Sequence, residues 1–276
     1  KARDYLVSLD GAGHAPNQDM VNIVAALRFE KALQLMDSDL SWKTQGQEDN
    51  IEKYLDIALG FSINNVCSSY WVSPKGLILE NFGSIQGGYS GDYGTEALEE
   101  MSQLTEFAEE NLQSDRAKKY IERMKNAYSA IDNFMFTANA EIDGNPTLYA
   151  EGLTGNRNAY YPGTERYILD EYNAVEKGNK TALKTYELFF EHNKLLVNAE
   201  SYTPSNSHFE DNALAVIKMY INFDKIISKI NEENIIDYDY IMDDDSQTSY
   251  AWADEMGRNV VIKNGDERIY LALNWR

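Results

Sequence analysis

Three short polar segments carry the residue types that chemistry needs. The first is Gly11-Ala12-Gly13-His14-Ala15-Pro16-Asn17-Gln18-Asp19. It runs straight into the apolar stretch Met20 to Leu27. A loop that feeds a helix N-terminus aims backbone N–H groups and a positive partial charge at whatever lies beyond it. His14 titrates near neutrality and can act as acid or base. Asn17 and Gln18 can hydrogen-bond sugar hydroxyls or a carboxylate. The structural alternative is a capping turn in which Asp19 is the N-cap and Asn17 shapes the bend. Capping accounts for Asp19 but not for the whole cluster.

The second segment is Gly87-Gly88-Tyr89-Ser90-Gly91-Asp92-Tyr93-Gly94. Tyrosines in a glycine-rich loop can stack on sugar rings, and a phenol can move a proton. A turn with incidental aromatics, in which Asp92 caps the next helix, explains the same residues equally well. The third is Gly155-Asn156-Arg157-Asn158-Ala159-Tyr160-Tyr161-Pro162. Arg157 offers a planar, permanently charged fork for a carboxylate. Tyr160 and Tyr161 offer a stacking surface, although surface loops of this composition are common.

Other features read as structural. Ser207 and Glu210 fit a capping box, with His208 between them as a lesser candidate. His192 falls in a helical stretch. The three histidines lie far apart in sequence, so they give no metal-ligand spacing. Cys67 is the only cysteine and sits among apolar residues. It reads as a small buried hydrophobe, and a disulfide within the chain is excluded. The acidic run from Asp237 to Asp245 could hold calcium but lacks the EF-hand pattern, so a solvated loop is expected there. No metal site or other cofactor is expected.

The elements that must position these loops are mostly helical. One helix is expected after Asp19, apolar on nearly every side and therefore buried on all sides. A second runs from about Asp49 to Asn64, with Ile51, Tyr54, Leu55, Ala58 and Phe61 at three-and-four spacing. Residues 70–93 break the helical pattern, first as an extended excursion around Pro74-Lys75-Gly76, then as a loop rich in glycine. Two helices follow. One carries Ala97 to Ala108, and the other starts near Ser114 and carries apolar residues as far as Met135. Residues 143–163 read as a polar loop. Three further helices are expected near 164–175, 181–197 and 209–230. At the end, Asn264-Gly265 lies between Val260–Lys263 and Arg268–Leu273, a strong hairpin signal. A lone hairpin is marginal, so it needs a helix to lie on or further strands.

The expected fold is therefore mainly α. Antiparallel helical hairpins would form an incomplete α/α toroid over residues 1–235. An acidic linker and β-hairpin over 236–276 would begin a β-sandwich that continues past Arg276. The chain has 276 residues, 43% of them hydrophobic, enough for a large core. No apolar run is long enough to span a bilayer. It opens inside an ongoing segment, without initiator Met or signal peptide, which reads as trimming. A net charge of −20 repels nucleic acid.

The order of Gly-His-Ala-Pro-Asn-Gln-Asp, Gly-Gly-Tyr-Ser-Gly-Asp-Tyr-Gly, Gly-Asn-Arg-Asn and the closing Tyr-Leu-Ala-Leu-Asn-Trp-Arg resembles bacterial heparinase II/III-like and related polysaccharide lyases. That resemblance implies an α/α toroid followed by β-sandwich layers, and a secreted or periplasmic enzyme. It implies β-elimination on a uronate-containing polysaccharide or oligosaccharide. His14 or Tyr89 would then serve as base or acid. Asn17, Gln18 and Arg157 would neutralise the carboxylate, with Asn17 beside the reacting group. Tyr93, Tyr160 and Tyr161 would bind sugar, with Asp92 and Asn158 in the same substrate-binding loops. Stabilising the developing enolate is the costly step, and preorganised donors supply that stabilisation. Two other classes fit parts of the pattern. One is an α/α-barrel glycoside hydrolase using carboxylates such as Asp19 and Asp92. The other is a non-catalytic glycan-binding module.

Overall fold

A computed structural model describes residues 1–8, 16–47, 49–63, 69–82, 85–89, 97–142, 145–152, 170–198 and 213–273. The protein is mainly helical, with a small three-stranded antiparallel sheet near the C-terminus. The helices are α1 (Ala2–Ser8), α2 (Pro16–Met36), α3 (Asp49–Ala58), α4 (Leu98–Asn111), α5 (Ser114–Asp132), α6 (Lys180–Asn198) and α7 (Ala213–Glu232). The strands are β1 (Leu79–Phe82), β2 (Ile85–Tyr89), β3 (Met135–Ile142), β4 (Asn145–Gly152), β5 (Ser249–Asp254), β6 (Asn259–Asn264) and β7 (Glu267–Ala272). The chain divides into two compact units. One comprises Lys1–Ala127, Asp254–Asn259 and Ala272–Arg276; the other comprises Tyr128–Ala253 and Val260–Leu271.

In the first unit, α2 is the centre. It packs against α1, α3, α4 and β1. Pro16 opens it, where a missing N–H and a fixed φ suit the first helical position. Asp19 is therefore inside the first turn rather than before it. It is buried and complements the positive end of the helix. Met20, Ile23, Val24, Ala26 and Leu27 are buried, but Val21 and Phe29 are 48% and 45% exposed. The helix is thus apolar all round without being covered all round.

Helix α3 stops at Ala58, short of the expected Asn64. Gly60 has φ +73°, and a Cβ there would lie 2.3 Å from the Val72 carbonyl oxygen. The chain must turn in the left-handed region to pass that carbonyl, and only glycine does so without strain. Asp49, Glu52 and Asp56 form one face of α3, and Arg116, Lys119 and Arg123 recur at matching spacing on α5. Arg116 grips Glu52 with two hydrogen bonds of 2.9 and 2.5 Å and reaches Asp49 at 3.4 Å. Asp56 accepts from Lys119 at 2.5 Å and from the Tyr120 hydroxyl at 2.8 Å. Burial and that carboxylate both push the Tyr120 phenol up, so it stays a donor. Arg123 lies over the Phe61 ring at 4.5 Å and donates to the Ser73 carbonyl.

The expected excursion around Pro74 is present, closed by a Val72–Ile78 bridge. Beyond it, Gly87, Gly88 and Tyr89 do not form a loop. They lie in β2, antiparallel to β1, with Tyr89 opposite Leu79 and Ile85 opposite Phe82.

In the second unit, α5 ends at Asp132, so Met135 begins a strand instead of extending the helix. Much of the expected polar loop is also strand. Strands β3 and β4 pair over eight residues, from Met135–Gly152 to Ile142–Asn145. The partners Ile142 and Asn145 flank Asp143-Gly144, a hairpin dipeptide in its own right. Strand β4 packs on α6, which also packs on α7. A π-helical turn, Tyr172–Glu176, occupies the described part of the expected 164–175 helix. Helix α6 matches the expected 181–197, and α7 covers the described part of the expected 209–230. The hairpin β6–β7 matches its Asn264-Gly265 signal, with Gly265 at φ +59°. The third strand it needs is β5, which precedes it in the chain. Phe134 packs edge-on to Trp252 at 5.8 Å and also meets Tyr270, tying the sheet to the end of α5.

Candidate functional site

The first unit holds the described parts of two of the three sequence-derived segments, Pro16–Asp19 and Gly87–Tyr89. Asn17 and Gln18 occupy the first turn of α2, whose leading N–H groups have no carbonyl partner within the helix. Gln18 is exposed, and Asp19 directly after it is buried. Strand β1 packs on α2. Its partner β2 ends at Tyr89, paired with the fully buried Leu79. The hairpin therefore fixes the backbone of Tyr89 to a strand that rests on the helix carrying Asn17 and Gln18. His14, Asp92 and Tyr93 lie outside the described residues.

Arg157, Asn158, Tyr160 and Tyr161 also lie outside the described residues, as do Cys67, Ser207, His208 and Glu210. The segment that contains Arg157 leaves β4 at Gly152 and ends at Asp170, which is firmly held. Asp170 accepts from the Tyr128 hydroxyl at 2.6 Å, from the Asn173 side chain at 2.8 Å and from the Asn173 N–H at 3.1 Å. With both oxygens engaged and 2% exposure, it is an anchor for the chain rather than a reactive group.

Sequence reasoning missed one cluster entirely. Asp132, the last residue of α5, accepts from the Thr181 hydroxyl at 3.0 Å, the Tyr238 hydroxyl at 3.0 Å and the Ile241 N–H at 3.4 Å. The Tyr240 hydroxyl donates to that of Thr185 at 2.9 Å, which itself donates to the Thr181 carbonyl. Asn133 accepts from the Tyr250 hydroxyl at 2.5 Å. Burial raises the Asp132 carboxyl above its ordinary range, against the three hydrogen bonds that lower it, and the charge of Asp243 adds to the rise. Burial and Asp132 push the Tyr238 phenol up. A shifted carboxylate among phenols is a pattern shared with acid–base sites. Here each donor closes on an acceptor inside the cluster, so the arrangement ties the end of α5 to the start of α6 and to residues 238–241. Its only trace in the sequence is the Asp-Tyr alternation at 237–240, which reads as acidic surface.

The acidic run is likewise not simply solvated. Asp243 accepts from the Thr137 N–H at 2.5 Å and from Arg268 at 3.3 Å, and Asp244 accepts from the N–H and hydroxyl of Ser246. Among the described residues, no group of three or more His, Cys, Asp or Glu could hold a metal ion. None of the described helices is long and apolar enough to cross a membrane. Of the hydrolase pair, Asp19 is 2% exposed, which puts it out of reach of a glycan, and Asp92 lies outside the described residues.

Comparison with known protein families, curated proteins and solved structures finds no match to this chain.

Proposed function

We propose that the protein is a carbohydrate-active enzyme of polysaccharide-lyase type, acting by β-elimination on a uronate-containing glycan outside the cytoplasm. The helices would belong to an incomplete α/α toroid. The observation that supports this reading is the packing of β1 on α2. It joins the strand pair ending at Tyr89 to the helix whose first turn carries Asn17 and Gln18. The positive end of a helix suits an anionic carboxylate. Tyr89 or His14 would then take the proton α to that carboxylate, and Asn17, Gln18 and Arg157 would stabilise the enolate that forms. Asp92, Tyr93, Asn158, Tyr160 and Tyr161 would hold the sugar rings.

A panel of uronate-containing polysaccharides tests the proposal. The wild-type chain should generate the ultraviolet absorbance of an unsaturated uronate on at least one of them. His14→Ala or Tyr89→Phe should reduce that rate by about 10²- to 10⁴-fold, the usual contribution of a positioned acid or base. A silent wild type across the panel sinks the lyase reading. Release of reducing ends from a neutral glycan, with no new double bond, would replace it with a hydrolase.

A further inference from the structure

Strands β1 and β2 do not form a regular ladder. Phe82 opposes Ile85 and Asn81 opposes Gln86, but Leu79 opposes Tyr89. Between the last two of these pairs β1 has one residue, Glu80, and β2 has two, Gly87 and Gly88. Two residues set against one make a β-bulge. Both residues on the bulged side are glycine, which accepts irregular strand backbone and often marks a bulge.

The bulge changes which residues share a face. Directly opposed residues of an antiparallel pair lie on one face, as do residues two apart along a strand. Leu79 and Asn81 are two apart on β1, so their partners Tyr89 and Gln86 share a face although they are three apart on β2. Continued from Phe82 and Ile85, a regular ladder would set Gly88 against Leu79. Tyr89 would then fall on the other face, with Glu80 and Phe82. The bulge thus gathers Asn81, Gln86 and Tyr89, two carboxamides and a phenol, at register positions of one face. Leu79 is fully buried, so that face begins at the core of the unit. Glu80, the one charged residue from 79 to 89, takes the opposite face.

We propose that Asn81 and Gln86 bind substrate beside Tyr89, and that the Gly87-Gly88 bulge is the device that assembles the three. The proposal rests on the lyase reading of Tyr89. Carboxamide N–H groups are donors that a uronate carboxylate accepts, and they carry no charge of their own to repel it. A carboxylate on the same face would repel it, and the register assigns Glu80 to the other face. Bulges recur beside active sites, where they re-aim a side chain. Gly87 and Gly88 are positioning residues. They act through Tyr89 by fixing its register.

Register and role are tested separately. On a Cys67→Ser background, Leu79→Cys should form a disulfide with Tyr89→Cys on oxidation and not with Gly88→Cys. Asn81→Cys with Gln86→Cys is the control pair that closes in either register. Closure with Gly88→Cys in place of Tyr89→Cys would overturn the proposal, whatever the chain catalyses. For the role, Gly87→Val with Gly88→Val keeps the length and disfavours the bulge. Elimination on a polysaccharide that wild type cleaves should then fall about 10²-fold or more, as expected for a displaced acid or base. Deleting Gly88 alone leaves one residue opposite Glu80 and keeps Tyr89 opposite Leu79, so most of the rate should survive. Gln86→Ala should lower kcat/KM by about tenfold or more, the loss of a hydrogen bond to a charged group. Glu80→Ala should leave it unchanged, and circular dichroism checks that every variant is folded. A wild-type rate in the double valine variant, or equal losses in Glu80→Ala and Gln86→Ala, would overturn the assignment. A wild type silent on every polysaccharide ends the lyase reading and this role with it, while the disulfides still decide the register.

Discussion

Removing Glu30 should destabilise the first unit far more than removing Glu30 and Arg3 together. Glu30 is fully buried on α2, and Arg3 of α1 is 7% exposed. Arg3 donates to the Glu30 carboxylate at 2.5 Å and to the Leu40 carbonyl at 3.0 Å, and its guanidinium lies 4.3 Å from the centre of the Trp42 ring. Glu30 also accepts from the Trp42 N–H at 2.9 Å and from Gln34 at 3.3 Å. Glu30→Leu leaves a buried cation with only part of its compensation, which costs about 3–5 kcal/mol. It also orphans the Trp42 N–H, worth about 1–3 kcal/mol. The two overlap, so a total near 4–6 kcal/mol is expected. In Arg3→Met with Glu30→Leu no charge is left buried, and about 1–3 kcal/mol remains, chiefly the orphaned N–H. Urea unfolding of the two single variants and the double variant, followed by tryptophan fluorescence and far-ultraviolet dichroism, measures the coupling. If the single effects simply add in the double variant, the pair is not what docks α1, and the reasoning fails.

Asp132 gives a pH prediction of opposite sign to the usual carboxylate. Its folded-state carboxyl lies above the ordinary value near 3.8, so the native state binds the proton more tightly than the unfolded chain. Stability from this group is therefore full at low pH and is lost as pH rises from 3.8 through the raised folded value. Asp132→Asn should remove that slope, and a wild-type-minus-variant stability difference that stays constant over the acid range would contradict the assignment. Gly76→Ala places a Cβ 2.3 Å from the Ala127 backbone nitrogen at a φ of +100°, and it should lower stability by about 2–4 kcal/mol. A thermal melt of that variant indistinguishable from wild type would show that the approach of the two backbones is not fixed.

Local signals in the sequence determined several elements directly. Three-and-four spacing of Ile51, Tyr54, Leu55 and Ala58 set α3, and the long periodic runs set α4, α6 and α7, because a helix that buries one stripe must repeat its apolar residues at that interval. Asn264-Gly265 set the last hairpin because the turn needs a residue at positive φ. The same logic was available at Asp143-Gly144 and at Pro16, and the polar composition around each of them hid it. Tertiary structure decided the rest. Alternating apolar residues in 135–152 make a strand only because β3 and β4 find each other and β4 finds α6. Gly60 ends α3 because the Val72 carbonyl stands in the way, a neighbour twelve residues on that no local pattern announces. Of the candidate site, the residue types were legible. That Tyr89 belongs to a strand pair resting on the helix of Asn17 and Gln18 was not, nor was the grip of Thr181, Tyr238 and Ile241 on Asp132. Periodicity records which side of an element is buried, and it holds no information about which distant element buries it.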